Sequence, residues 1–192
     1  MMSGEQRRLR SLCVFCGSSF GHDPKWTAAA RQLGAGLAKA GITLVYGGSH
    51  SGLMGQVAET ALHGGTRVEG VIPRHFLSNE DPFAEVTELT VVDDMHSRKK
   101  LMFDKADAFC VLPGGLGTLD ETFEILTWKQ LGLHDKPILF LDLDGYWTQI
   151  LGMVDTIVTE GFAKPRVKEF FKVATSVEEV LALVASPALP RS

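Results

Sequence analysis

The sequence has few cysteines and no apolar run long enough to cross a membrane. Three cysteines occur among 192 residues, Cys13, Cys16 and Cys110, and this small, odd number argues against a disulfide framework. Cys13 and Cys16 form a C-x-x-C pattern, but both lie in the apolar run Leu12–Cys16, which favours core packing over a redox or metal site. No apolar stretch reaches the length of a membrane span, so we expect a soluble, cytoplasmic protein.

Positive charge is also scarce. Lysine and arginine total 19 against 23 acidic residues, which gives a net charge of −4. A broad basic surface for nucleic acid or an anionic membrane is therefore not expected, and any anionic ligand must be held by local features. The histidines His50, His96 and His134 show no metal-ligand spacing. The chain also lacks a G-x-G-x-x-G fingerprint and a Walker lysine, which disfavours hydride transfer and nucleoside triphosphate hydrolysis.

Short apolar runs alternate with longer amphipathic segments. The predicted strands are Leu12–Cys16, Ile42–Tyr46, Arg67–Ile72, Glu88–Val92, Ala108–Leu112 and Pro137–Leu141. The predicted helices are Pro24–Ala40, Gly52–His63, Ser97–Lys105, Thr118–Gly132, Tyr146–Glu160 and Ser176–Val184. This alternation predicts an α/β fold with a doubly wound, mainly parallel, Rossmann-like sheet and helices on both faces. We expect one domain over residues 11–185, preceded by a disordered lead-in at 1–10 and followed by a frayed tail at 186–192.

Glycine-rich turns follow three of the predicted strands. They are Gly17–Ser19, Gly47–Gly55 and Pro113–Thr118. The carboxyl ends of parallel strands share one edge of a sheet, where ligands of such folds bind. Glycine lets the backbone approach a ligand, and the amino end of a following helix favours an anion. The three turns together predict a phosphate-containing ligand, although any one of them could be only a tight strand-to-helix turn.

Two charged segments near the third turn have two interpretations each. Thr118–Glu121 matches a capping box, with Thr118 as N-cap and Glu121 as the third helical residue. Alternatively, the Glu121 carboxylate lies a sugar's breadth from a phosphate on the turn, beside the anomeric carbon. Arg98, Lys99 and Lys100 could form a solvated face, or Arg98 could clamp an anion in a bidentate fork.

Two motifs then resemble one known family. Pro113–Glu121 matches the pattern P-G-G-x-G-T-x-x-E, and Met95–Lys99 matches its companion M-H-x-R-K. Together they resemble the LONELY GUY family of cytokinin-activating phosphoribohydrolases, which is often mislabelled as lysine decarboxylases. The resemblance covers residues 11 to 182. It implies hydrolysis of N6-modified adenosine 5′-monophosphates, or of AMP, to the free base and ribose 5-phosphate.

The resemblance also implies the residues of the site. Arg98 and Glu121 would be the catalytic pair, and the sequence leaves open whether Arg98 positions the substrate or Glu121. The implied substrate-binding residues are Ser18, Gly48, Glu80, Lys99, Gly114, Gly115, Leu116, Gly117, Thr118 and Thr127. No metal or organic cofactor is implied, and members are usually homodimers with sites near the interface. A nucleotide sensor or cofactor carrier on the same fold is the alternative, and the preferred N6 substituent stays open.

Overall fold

A computed structural model describes residues 9–77 and 81–186 of the chain. The strands are β1 (Ser11–Phe15), β2 (Thr43–Tyr46), β3 (Val68–Pro73), β4 (Glu88–Val92), β5 (Ala108–Val111), β6 (Ile138–Leu141) and β7 (Lys172–Ala174). The α-helices are α1 (Pro24–Ala40), α2 (Gly52–His63), α3 (Met95–Lys105), α4 (Leu116–Gln130), α5 (Thr148–Thr159) and α6 (Val177–Ala185). Short 3-10 helices lie at Arg74–Phe76, Leu143–Gly145 and Pro165–Glu169.

The seven strands form one sheet in the order β4-β3-β2-β1-β5-β6-β7, and every adjacent pair is parallel. The chain builds outward from β1 in one direction and then resumes on the other side of β1 with β5. The strand order therefore reverses between β1 and β5. In open α/β sheets a crevice forms at such a switch point, beyond the carboxyl ends of the strands. Gly17 and Pro113 follow β1 and β5 there, and the Gly17 N–H donates to the Pro113 carbonyl at 3.0 Å.

Two hydrophobic clusters cover the two faces of the sheet. One packs α1, α2 and α6 on one face, and the other packs α3, α4 and α5 on the opposite face. The strands of the middle of the sheet are buried along their whole length, which is why their sequences read as continuous apolar runs. All three cysteines are buried and free, as expected for core residues. No helix in residues 9–77 and 81–186 is long and apolar enough to cross a membrane.

The predicted fold class is confirmed, and so are the bounds of α1, α2 and β4. Asp23 caps α1 through the Lys25 N–H, and Gly41 ends it in a left-handed conformation. The prediction missed β7, an edge strand of three residues that begins at an exposed lysine and shows no alternation of apolar and polar side chains. Most of the predicted lead-in and tail lies outside the described residues, so the domain boundaries stay predictions.

Candidate active site

The amino end of α4 is uncapped and faces the crevice between β1 and β5. The helix begins at Leu116 with Gly115 as its N-cap, and no side chain donates or accepts a capping hydrogen bond. Of the two interpretations of Thr118–Glu121, the capping box is therefore excluded: Thr118 lies inside the first turn, and Glu121 lies one turn beyond it. Over the described residues, the N–H groups of Leu116, Gly117 and Thr118 have no hydrogen-bond acceptor, so they are free for a ligand.

The other two glycine turns do not offer such an end. The Gly17 carbonyl accepts from the N–H groups of Leu53 at 3.0 Å and Met54 at 3.3 Å, so the protein itself fills the amino end of α2. The turn after β1 does not lead directly into a helix, because α1 begins only at Pro24 and is capped by Asp23. Among the three turns that the sequence singles out, the one before α4 is thus the one whose helix end remains open to an anion.

A cavity of about 260 Å³ opens at this helix end. Its walls come from the turn after β1, the first turns of α2, α3 and α4, and the 3-10 helix after β3. The lining residues are Cys16, Gly17, Ser18, Met54, Phe76, Met95, Arg98, Gly115, Leu116, Gly117, Thr118 and Glu121. A second cavity of about 270 Å³ adjoins it and shares Gly17, Ser18 and Gly115. The two together form a cleft in the volume range of small-molecule sites.

Arg98 and Glu121 meet on the wall of this cavity. The Arg98 Nη1 donates to Glu121 Oε1 at 3.0 Å, and the two residues are only 9% and 7% exposed. The rest of the guanidinium donates to the backbone, from Nε to the Val71 carbonyl at 3.2 Å and from Nη2 to the Gly47 carbonyl at 3.3 Å. Three elements therefore fix the arginine fork, and the fork fixes one oxygen of the carboxylate.

Gly47 makes room for this fork. A Cβ at position 47 would lie 2.0 Å from Arg98 Nη2, which no side chain can satisfy without displacing the guanidinium. Gly47, the residue after β2, therefore contributes to the site by leaving this space free.

The Glu121 carboxyl is electrostatically unusual. Burial raises the pKa of Glu121 to about 7, in spite of the opposing attraction of the Arg98 guanidinium. A carboxyl group that ionises near neutral pH inside a cavity is suited to accept or donate a proton during a reaction.

Lys99 faces a different set of partners from Arg98. Its ammonium contacts Asp120 at 3.0 Å and Glu124 at 3.3 Å, and its side chain is largely buried. Burial alone would lower the pKa of Lys99, but the hydrogen bonds to Asp120 and Glu124 more than offset it and the pKa is raised. The charge run thus divides along α3: Arg98 and Lys99 turn inward, whereas Lys100 remains solvent-exposed and pairs with Asp104.

Three of the sequence-predicted residues, Lys99 among them, do not line either part of the cleft, and a fourth lies outside the described residues. Gly48 packs against Val71 and Ile72 of β3 rather than lining the cavity. Thr127 lies on the exposed face of α4, six residues after Glu121. Glu80 lies outside the described residues, so its role stays a prediction.

The sequence reasoning missed several residues that shape the site. Met54, Phe76 and Met95 give the cavity an apolar side, and the Tyr146 hydroxyl donates to the Gly114 carbonyl at 2.7 Å and so braces the turn before α4. Methionines and aromatic residues on helices are normally core residues, so their positions in the sequence did not indicate a ligand site. Glu124 lies four residues, or about one helical turn, after Asp120, and both carboxylates pair with Lys99. That spacing was the one signal in the sequence for this shared role.

Comparison with known proteins gives a consistent result. Residues 54–184 match the model of a family described as "Possible lysine decarboxylase". A cytokinin riboside 5′-monophosphate phosphoribohydrolase of Arabidopsis thaliana is 44% identical over 180 residues, which are 94% of this chain and 83% of that protein. A probable cytokinin riboside 5′-monophosphate phosphoribohydrolase of Oryza sativa subsp. japonica is 45% identical over 91% of this chain and 78% of that protein.

Solved structures with the same fold are more distant in sequence. The molybdenum cofactor carrier protein of Chlamydomonas reinhardtii superposes with a TM-score of 0.71 at 19% identity, over 96% of this chain and 100% of that chain. The molybdenum cofactor binding protein of Rippkaea orientalis gives a TM-score of 0.69 at 21% identity, over 93% of this chain and 96% of that chain. At these identities the likeness bears on the fold alone.

Proposed function

The chain belongs to the LONELY GUY family of cytokinin riboside 5′-monophosphate phosphoribohydrolases, and from this premise we propose that it hydrolyses the N-glycosidic bond of adenosine 5′-monophosphates, with or without an N6 substituent. The products are the free base and ribose 5-phosphate. The observation that carries the proposal is the buried Arg98–Glu121 pair, which lies on the cavity wall about one helical turn beyond the uncapped end of α4.

The free end of α4 holds the 5′-phosphate in this proposal. The N–H groups of Leu116, Gly117 and Thr118 point at it, and the helix dipole adds a favourable contribution for an anion. Glu121 follows Gly117 by four residues, or about 6 Å along the helix axis. A ribose that bridges this distance brings its anomeric carbon to the Glu121 carboxylate. The phosphate then supplies binding energy remote from the bond that breaks.

Glu121 acts at the anomeric carbon. The bond from C1′ to the base nitrogen breaks with its electron pair going to the base, and positive charge develops on the ribose. The carboxylate stabilises that charge and takes a proton from the water that adds to C1′. The base leaves with a proton from the medium, and Glu121 returns to the medium the proton that it took, so water is divided between the two products. Arg98 keeps the carboxylate in place through the 3.0 Å hydrogen bond.

A cofactor carrier is the competing function on this fold. A carrier needs an open anion site, but it gains nothing from a desolvated carboxylate beside the ligand, because burying an ionisable group costs free energy. The pairing of Glu121 with Arg98 next to the helix end therefore favours the enzyme.

Base release from a nucleotide is the direct test. We expect the purified protein to release adenine from AMP, or the N6-substituted base from a cytokinin riboside 5′-monophosphate, as followed by chromatography together with ribose 5-phosphate. With adenosine, which lacks the phosphate, kcat/KM should fall by at least about 100-fold, because the remote binding energy is lost. Tight binding of AMP with no free base from any nucleotide would favour the carrier instead.

Gly117→Ala should separate phosphate binding from stability. A Cβ at 117 meets no protein atom within 4 Å, and Gly117 lies in the first turn of α4, so alanine should stabilise the fold by about 0.5–1 kcal/mol. That same Cβ enters the space of the proposed phosphate, and KM for AMP should rise by at least about tenfold. Thermal unfolding and steady-state kinetics measure the two effects.

Gly152→Ala is the matched control for this variant. Gly152 lies in the middle of α5, and a Cβ there likewise meets nothing within 4 Å. It should stabilise the fold by a similar amount and leave KM unchanged. If Gly117→Ala also leaves KM unchanged, the phosphate does not bind at the end of α4.

The pKa of Glu121 predicts the pH dependence of the reaction. Because the proposed mechanism needs the carboxylate, and because burial raises its pKa to about 7, kcat/KM for AMP should rise with pH and level off above about 7. The second ionisation of the substrate phosphate, near pH 6, adds a separate rise to the pH profile of kcat/KM. The pH profile of the residual activity of Glu121→Gln should keep the rise due to the phosphate and lose the rise near pH 7. A pH profile that this substitution leaves unchanged would exclude Glu121 as the titrating group.

The quaternary structure and compartment implied by the sequence remain proposals. We propose a homodimer with its sites near the interface, since Leu116 at the cavity and Thr127 farther along α4 are both exposed and could contact a second copy. Sedimentation of the wild type would test the dimer. The cytoplasmic location stays a prediction.

A further inference from the structure

A larger cavity, of about 860 Å³, lies at the opposite edge of the sheet from the proposed active site. It is formed where α4 and α5 end and where the 3-10 helix Pro165–Glu169 leads towards β7. It lies at the carboxyl end of α4, whereas Glu121 lies near the amino end, so the two sites are separate. We call it the basic cavity, defined by the lining side chains of Lys129, Lys164, Arg166, Asp135, Phe162 and Phe170.

The basic cavity concentrates positive charge in an acidic protein. Its lining carries three basic residues, Lys129, Lys164 and Arg166, and one acid, Asp135, so its formal charge is +2, whereas that of the whole chain is −4. Over the described ranges, neither Lys164 nor Arg166 makes an ion pair. A cavity of one sign attracts and concentrates ligands of the other sign.

Lys129 differs from the other two basic residues because it is buried. It is only 7% exposed, and its ammonium donates to the Lys136 carbonyl at 3.0 Å. No carboxylate of the described residues lies within 4 Å of it. Burial lowers the pKa of Lys129; the attraction of Asp135 opposes this shift, and a smaller repulsion from Arg166 adds to it. A buried lysine normally has an acidic partner. Because one N–H of this ammonium is bonded to the Lys136 carbonyl, two N–H donors remain available for an anion that the chain itself does not supply.

One side of the basic cavity is apolar. Phe162 is 84% exposed at its rim, and Phe170 is buried in its wall. A bare phosphate fills only a small part of 860 Å³, whereas an anion with an apolar or aromatic body would use both kinds of wall. We propose that the basic cavity binds a phosphorylated small molecule, with its phosphate on Lys129 and Arg166 and its organic body against Phe162. Arginine suits a phosphate because its planar fork donates two parallel hydrogen bonds.

Calorimetric titration with inorganic pyrophosphate and with phenyl phosphate tests the anion site. Arg166→Gln and Lys129→Met should each weaken pyrophosphate binding at the basic cavity by at least about tenfold, which corresponds to the loss of one charge-assisted contact. Lys168→Gln is the matched control: Lys168 lies two residues from Arg166, is exposed and pairs with Asp155, and does not line the cavity. It should change the affinity by less than about twofold.

The ring of phenyl phosphate tests the apolar wall. Phenyl phosphate should bind more tightly than inorganic phosphate, and Phe162→Ala should remove that advantage without changing the affinity for phosphate. Circular dichroism checks the fold of Lys129→Met, and Arg166→Gln keeps the test valid if that buried substitution unfolds the protein.

Equal affinities in wild type, Arg166→Gln and Lys129→Met would overturn the proposal. Equal weakening in Lys168→Gln and Arg166→Gln would also overturn it, since it would indicate surface electrostatics without a site. Acetate that binds as tightly as pyrophosphate would exclude the phosphate class. None of these outcomes depends on hydrolysis, and binding that Gly117→Ala weakens but Arg166→Gln and Lys129→Met leave unchanged belongs to the end of α4.

Discussion

Glu121→Gln should lower kcat for AMP by about 10²–10⁴-fold, the range typical of a lost general acid or base. Glutamine keeps the size of the side chain and an oxygen that can still accept from Arg98 Nη1, so the geometry of the pair is retained. The substitution removes the negative charge that would stabilise the ribosyl cation and the basicity that would activate water. Since the phosphate contacts are unchanged, the Kd of AMP should stay within about threefold.

The measurement needs both kinetics and binding. Single-turnover release of adenine gives the chemical rate, and calorimetry with the inactive variant gives the Kd. Glu59→Gln is a control, because it removes the same charge from a half-buried position on α2 that does not line the cavity. Full activity in Glu121→Gln would leave the reaction class standing but would exclude this glutamate from catalysis. A weaker Kd with unchanged kcat would instead make Glu121 a binding residue.

The sequence predicts the fold because local and global signals agree. The apolar runs before Gly17, Gly47 and Pro113 are buried on both faces of a parallel sheet, so their composition alone marks them as strands. The helix that Pro24 begins and Gly41 ends is fixed by caps that act within a few residues. β7 escaped prediction because three residues at a sheet edge receive their conformation from β6 and not from their own pattern.

The site was predictable in its members but not in its arrangement. The glycine turns looked equivalent along the chain, yet the carbonyl of Gly17 occupies one helix end and leaves another open. This contact joins segments more than 30 residues apart, so no local pattern reports it. The capping box is excluded for a similar reason: the chain enters α4 at Gly115, and Thr118 is drawn inward against Gly114.

Charge patterns were the least informative part of the sequence. Arg98 and Lys100 are two residues apart and chemically alike, but one is buried against two backbone carbonyls and the other is solvated. Which face of α3 turns inward depends on the packing of that helix against β3 and β1. Lys129 shows the same limit, since a single lysine on a predicted helix gives no sign that it will be buried without an acidic partner.

Arg98→Lys should lower kcat/KM for AMP by about 100-fold at pH 6.5 and by much less at pH 9. Lysine keeps the charge but cannot reach Glu121, the Val71 carbonyl and the Gly47 carbonyl with one planar fork. With a weaker partner, the buried Glu121 should ionise above its present pKa of about 7. The variant should therefore recover activity as rising pH restores the carboxylate, and the rising limb of its pH profile should shift upward.

This profile separates the two roles that the sequence leaves open for Arg98. If Arg98 acts through Glu121, the ratio of wild-type to variant activity shrinks with pH, and Arg98→Lys combined with Glu121→Gln is no slower than Glu121→Gln alone, because residues that act as a unit are not additive. If Arg98 instead contacts the substrate directly, the ratio stays constant with pH and the two losses multiply. Thermal unfolding of each variant ensures that the comparison is made on folded protein. The buried geometry of the pair, with the fork held by Val71 and Gly47 on one side and the carboxylate on the other, favours the first outcome.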